Sequence, residues 1–259
     1  MNKNFMVFGD SISYGHELSD APHDTIKSDV IQPSKFSWPS LLGAVNCSVP
    51  GSGNDRIKRN CLHTTVSLQP KLVGISWSFP ERFELPDPMT DKLEPENDFF
   101  TTIGHWIQGR KNAVDFPELK DFNVPNIKLK KFKLFVNLFY KFIYSDVYGI
   151  YNFLDNVYTT QLHLKNLNIE YFMVTPSHKT LQLNDKYLFK YENDLINMDK
   201  IIGSVVRTSK LIDWSKFIFI DEYKGIMDIG KEFNDIGEHG HPLKKTHEFY
   251  ANHLKDVII

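Results

Sequence analysis

Cysteine is scarce: only Cys47 and Cys61 occur among 259 residues, with no C-x-x-C spacing and no paired Cys/His ligand pattern. That excludes a disulfide-stapled scaffold and a cysteine-based structural zinc site, and it suits a reducing compartment. An excess of one charge is lacking too, since 30 Lys+Arg stand against 32 Asp+Glu for a net charge of −2. Nothing in that balance points to nucleic acid as a partner. No run of about 18 uncharged apolar residues occurs, so no membrane-spanning helix is expected. The opening Met1-Asn2-Lys3-Asn4 leads into an apolar stretch of only four residues, too short for a signal peptide. Internal repeats and low-complexity tracts are absent as well. What is present is 41% hydrophobic, 24% charged and 14% aromatic residues, the profile of a folded chain long enough for a sizeable core.

The chain alternates short apolar runs with helical patterns. Phe5-Met6-Val7-Phe8, stopped by Gly9-Asp10-Ser11, reads as a buried parallel strand ending in a tight turn. Trp38-Pro39-Ser40-Leu41-Leu42 reads as a helix start, with Ser37 as the cap and Pro39 in the first turn. Residues 45–49 form a second strand candidate, closed by Pro50-Gly51-Ser52-Gly53. Asn54 then stands where it can cap a helix to about residue 68, with Ile57, Cys61 and Leu62 on one face. Residues 71–77, 169–174 and 217–220 supply further strands, and 185–206 and 243–254 further helices. This rhythm predicts an α/β fold around a parallel sheet of about five strands.

The rhythm breaks over 78–130, where Pro80, Pro86, Pro88, Pro95, Pro117 and Pro125 punctuate the chain and only 99–107 looks helical. We read this as an irregular insertion lying over the sheet of a single domain spanning 1–259. Residues 129–164 are helical and aromatic, with Phe132, Phe135, Phe139, Phe142, Tyr148 and Tyr151 near helical spacing and Gly149 as the break. Packing under the insertion is the favoured reading. An interfacial helix is the alternative, because Lys128, Lys130, Lys131, Lys133 and Lys141 accompany it. Trp77, Phe79 and Trp106 equally suit an aromatic shelf for a sugar.

Two segments at opposite ends carry chemistry. In Phe8-Gly9-Asp10-Ser11-Ile12-Ser13-Tyr14-Gly15 a serine follows a buried strand, where open α/β sheets bind ligands. The helical turn after it offers free N–H groups to a developing oxyanion. In Glu238-His239-Gly240-His241-Pro242 a histidine can take the serine's proton, and a carboxylate three residues upstream can hold its tautomer. The rate is then expected to rise with pH as the base loses its proton. His16, just after the first segment, reads as a surface residue with lining of the site as the alternative, and His247 as structural.

Together these segments resemble the GDSL/SGNH hydrolase family. The resemblance is carried by Gly9-Asp10-Ser11, the 46–53 stretch, Trp38-Pro39-x-x-Leu42 and Glu238-x-x-His241-Pro242, in the family's order. The sequence also looks like a divergent branch seen in tailed-phage genomes, through 51–57 and Trp77-Ser78…Arg82. The resemblance implies a three-layer α/β/α flavodoxin-like sandwich and ester hydrolysis through an acyl-enzyme, without cofactor or metal. Ser11 would be the nucleophile, His241 the base and Glu238 its orienting carboxylate, with Ser11 and Gly51 as backbone oxyanion donors. The family's third-block asparagine is missing after the third strand, where Trp77-Ser78-Phe79-Pro80-Glu81 stands. Asn54 and Ser78 are the candidates to replace it. The implied substrate is an ester of a small acyl group such as acetyl, on a small molecule or a glycan. Alternatives are an O-acyltransferase and a non-catalytic virion or partner-binding protein of the same fold. The expected location is the cytoplasm or a virus particle.

Overall fold

The computed structural model describes residues 4–21, 32–86, 100–103, 131, 134–183, 186–190 and 200–258. In chain order its elements are β1 (Phe5–Phe8), α1 (Ser11–Tyr14), α2 (Trp38–Leu41), β2 (Val45–Asn46), α3 (Asn54–Leu68) and β3 (Leu72–Ser76). There follow β4 (Phe83–Pro86), β5 (Phe100–Ile103), a π-helical turn (Phe139–Ile143), α4 (Asp146–Asn166) and β6 (Glu170–Val174). The remainder includes β7 (Gln182–Leu183), β8 (Lys186–Tyr187), α5 (Lys200–Ser209), α6 (Ile226–Glu232) and α7 (Lys244–Ile258), with short 3-10 turns between them.

The main sheet has the order β2-β1-β3-β6 and is parallel throughout, with Met6 opposite Val45, Phe8 opposite Ile75, and Ser76 opposite Val174. The fifth position is a single parallel bridge from Met173 to Phe217, with Ile218 donating its N–H to the Met173 carbonyl. Its strands are apolar on both faces because both faces are covered. Met6, Phe8, Val73, Ile75 and Met173 pack with Ile57 and Cys61 of α3 and with Phe153, Leu154 and Val157 of α4. Val7, Phe172 and Val174 pack with Trp38 of α2, Ile226 and Ile229 of α6, and Tyr250 and Leu254 of α7. Period-2 alternation along each strand thus feeds two cores, which gives the expected three-layer α/β/α sandwich.

Three expectations are corrected. Within 99–107, Phe100–Ile103 is not helical but pairs antiparallel with Phe83–Pro86; residues 104–107 lie outside the described ones. Phe-Thr-Thr-Ile is aromatic and β-branched, and a partner strand distant in sequence satisfies its backbone. The helical break falls at Tyr144-Ser145, not at Gly149: Ser145 caps α4, accepting from the Tyr148 N–H, and Gly149 lies within the helix. Within the helix expected over 185–206, Lys186–Tyr187 is instead a strand paired with Gln182–Leu183 and Leu188–Lys190 a 3-10 turn; Lys200–Ser209 is helical, and 191–199 lie outside the described residues.

The aromatic stretch divides. Phe139 and Tyr140 are buried with Phe83 and Ile103, whereas Phe135 and Phe142 are exposed. Trp77 is fully buried edge-on to Phe153, so it forms no shelf, and Trp106 lies outside the described residues. No helix among the described residues is long and apolar enough to cross a membrane.

Candidate active site

Ser11 sits just beyond the carboxyl end of β1. Asp10 caps α1, its carboxylate accepting the Ile12 N–H at 3.0 Å, so Ser11 is the first helical residue. Backbone N–H groups at that position have no carbonyl four residues earlier to bond. Gly9 lets the turn press against β3: a Cβ there would stand 2.7 Å from Ser13 Oγ and 3.0 Å from Ser76 Cβ. Ser11 itself is only 5% exposed.

His241 reaches Ser11 from the other end of the chain. Its Nε2 lies 3.0 Å from Ser11 Oγ, and its Nδ1 lies 2.9 Å from Glu17 Oε2. The Glu17 carboxylate also accepts the backbone N–H of His239 at 2.8 Å and that of His241 at 2.9 Å. Burial alone would raise the Glu17 pKa, but the two peptide donors and the His241 ring outweigh it and hold it below its ordinary value. Glu17 is therefore ionised at neutral pH and acts only as an acceptor. That places the proton on Nδ1 and leaves the Nε2 lone pair to the Ser11 hydroxyl.

The carboxylate on the imidazole is thus Glu17, where Glu238 was expected. Glu238 is exposed in a tight turn closed by the Gly237 N–H on the His241 carbonyl at 2.8 Å. The His241 ring and the 239 and 241 amides turn away from Glu238 to Glu17, three residues past α1. Glu17 has a φ of 71°. Such left-handed backbone is uncommon for a residue with a side chain. No spacing or motif in the sequence singled out Glu17. His16, expected at the surface, is instead buried, its ring centroid 5.1 Å from that of His241. His247 is structural as expected, buried and accepting the Trp38 N–H at 3.2 Å.

The donor candidates fare unequally. Gly51 has a φ of 78°, a conformation that favours glycine, in the turn after β2. Asn54 is not the cap of α3; Gly53 is, and Asn54 is the first helical residue. Its Oδ1 accepts the Ser78 N–H at 2.8 Å, and its Nδ2 donates to the Ser78 and Phe79 carbonyls, each at 3.3 Å. The Ser78 hydroxyl donates to Asp10 Oδ2 at 2.8 Å. Both side chains are therefore committed to holding the segment after β3, Asn54 against the start of α3 and Ser78 against the serine turn. Arg82 adds to this, its Nη1 donating to Asp10 Oδ2 at 3.1 Å and to the Ser52 carbonyl at 3.4 Å. Among the described residues no group of three or more His, Cys, Asp or Glu side chains could hold a metal ion.

No model of a known protein family matches the chain. No curated protein matches it either. Among solved structures the chain is similar to the psychrotrophic esterase EstA from Pseudoalteromonas sp., at 11% identity over 98% of this chain and 96% of that one, with a TM-score of 0.45. It is also similar to Axe2, an acetyl-xylooligosaccharide esterase from Geobacillus stearothermophilus, at 13% identity over 100% and 97%, with a TM-score of 0.45. A lipase/acylhydrolase from Enterococcus faecalis aligns at 12% identity over 98% and 95%, with a TM-score of 0.42.

Proposed function

We propose that the protein is a serine ester hydrolase of the SGNH type, with Ser11 as nucleophile, His241 as general base and Glu17 as the carboxylate that orients it. One observation carries this: the unbroken line from Ser11 Oγ to His241 Nε2 at 3.0 Å and from Nδ1 to Glu17 at 2.9 Å. A serine hydroxyl is a poor nucleophile until a positioned base removes its proton, and a base–carboxylate pair fixes the tautomer that can do so. Ser11 attacks the ester carbonyl as its proton passes to Nε2. The oxyanion so formed is met by the Ser11 and Gly51 N–H groups. Collapse of the intermediate expels the alcohol, which takes the proton from His241. Water then repeats the sequence on the acyl-serine and releases the acid.

The low exposure of Ser11 favours a small acyl group, and acetyl on a small alcohol or a sugar hydroxyl is the class to test first. The test is hydrolysis of 4-nitrophenyl acetate by the native chain and by Ser11→Ala. We expect the variant to lose at least about 10³-fold in kcat while keeping its melting temperature. Equal activity in the two proteins ends the proposal. A second reading, a binding protein that keeps the fold, is favoured by the use of Ser78 and Asn54 for structure in place of a side-chain oxyanion donor. A serine-reactive fluorophosphonate separates the two: labelling at Ser11 supports the enzyme, and none, beside a control esterase that reacts, supports the binding protein. Product analysis with an added sugar acceptor separates hydrolase from acyltransferase.

A further inference from the structure

We infer that Arg82 is a positioning residue for the oxyanion site, tying together the two loops that carry its backbone donors and neutralising the carboxylate beside the nucleophile. This rests on the esterase reading above and deepens it. The Ser11 and Gly51 N–H groups belong to separate segments, one after β1 and one after β2. A single nitrogen, Arg82 Nη1, donates to Asp10 Oδ2 at 3.1 Å, one residue before Ser11, and to the Ser52 carbonyl at 3.4 Å, one residue after Gly51. The ion pair is enclosed, with side-chain exposures of 14% for Arg82 and 1% for Asp10. The Phe79 ring centroid lies 5.4 Å from the guanidinium carbon.

Two consequences follow from that placement. Fixed donors cost no reorganisation when charge develops, so a bridge between their loops acts on the transition state more than on the bound ester. A buried Asp10 carboxylate without its counter-charge would sit one residue from the forming oxyanion, and like charges repel strongly where water is excluded. Arg82 removes that repulsion. Ser78, at the place of the missing asparagine, acts on the same Asp10 oxygen at 2.8 Å. The segment after β3 therefore serves the oxyanion site through Asp10 and Ser52, without presenting an amide of its own.

The experiment compares the native chain with Arg82→Lys, Arg82→Gln and the double variant Asp10→Asn/Arg82→Gln. Each is assayed on 4-nitrophenyl acetate, and kcat is expressed per Ser11 labelled to completion by the fluorophosphonate. We expect Arg82→Gln to lose about 10- to 100-fold in kcat per labelled site. KM should stay within about threefold, the signature of an interaction made in the transition state. Arg82→Lys should recover most of the loss, and the double variant should fall between the two because the lone charge is gone but the bridge is missing. A kcat per labelled site for Arg82→Gln equal to the native value overturns the role of Arg82, since a merely structural residue lowers only the number of labelled sites. If Arg82→Gln does not fold, the double variant carries the comparison, and equality with Arg82→Lys overturns the proposal. A native chain with neither turnover nor labelling overturns the esterase reading and this role with it, whereas an active native chain with unaffected variants overturns this role alone.

Discussion

The Glu17 carboxylate gathers two peptide N–H groups and the His241 ring, so it both fixes that imidazole and holds the 239–241 loop. Replacing it by Gln keeps the shape but offers Nδ1 an amide that no longer enforces one tautomer. We expect Glu17→Gln to lower kcat on 4-nitrophenyl acetate by about 10²- to 10⁴-fold. Glu238→Gln, on an exposed turn, should stay within about twofold of the native rate. Steady-state assays of the pair check this directly; the reverse ranking would return the orienting role to Glu238. The side-chain cluster behind the proposed site was half legible at this scale. Ser11, His241 and Gly51 stood out because the proposed chemistry would need a hydroxyl, an imidazole and a glycine turn in recognisable settings. Glu17 did not, because a carboxylate that meets its partner across 224 residues leaves no local spacing to read.

Helix α7 matters at the next scale, since it follows directly on the His241 loop. His247 lies in its first turns, buried, and takes the Trp38 N–H at the start of α2. Burial pushes its pKa down to about 4. The folded state therefore keeps this ring neutral while the unfolded chain takes up a proton below about pH 6.5. Stability should fall as pH drops from about 6.5 to about 4, by an amount on the order of 3 kcal/mol, and this contribution should flatten below that range. Urea midpoints across that interval measure it, and His247→Gln should show a shallower slope; parallel slopes would exclude His247 as the cause. The short strand elements show the limit of local reading. Phe100–Ile103 and Lys186–Tyr187 look helical or ambiguous alone and become strands only because β4 and β7 lie beside them.

For the whole molecule, the requirement is that segments near both ends of the chain meet beyond the carboxyl ends of the sheet's strands. Trp38 and Tyr250, with ring centroids 5.8 Å apart, lie in the core face that joins α2 to α7. Tyr250→Ala should cost about 3–5 kcal/mol. Thermal melting should show the loss, and kcat per folded molecule should fall with it because the His241 loop precedes this helix. A variant with native melting temperature and activity would show that α7 does not hold the base in place. The amino-acid order alone determined the layered α/β plan, since apolar runs of four or five residues between helical patterns can be buried only inside a covered parallel sheet. It also singled out Ser11 and His241, the residue types that the proposed reaction would demand, and the structure brings the two side chains to 3.0 Å. Tertiary structure decided which carboxylate meets the imidazole, that Asn54 and Ser78 brace the loop after β3, and that Arg82 bridges two turns. The physical reason is common to all three: hydrogen bonds between segments far apart in the chain depend on where the sheet places its strand ends, and no periodicity within a segment encodes that.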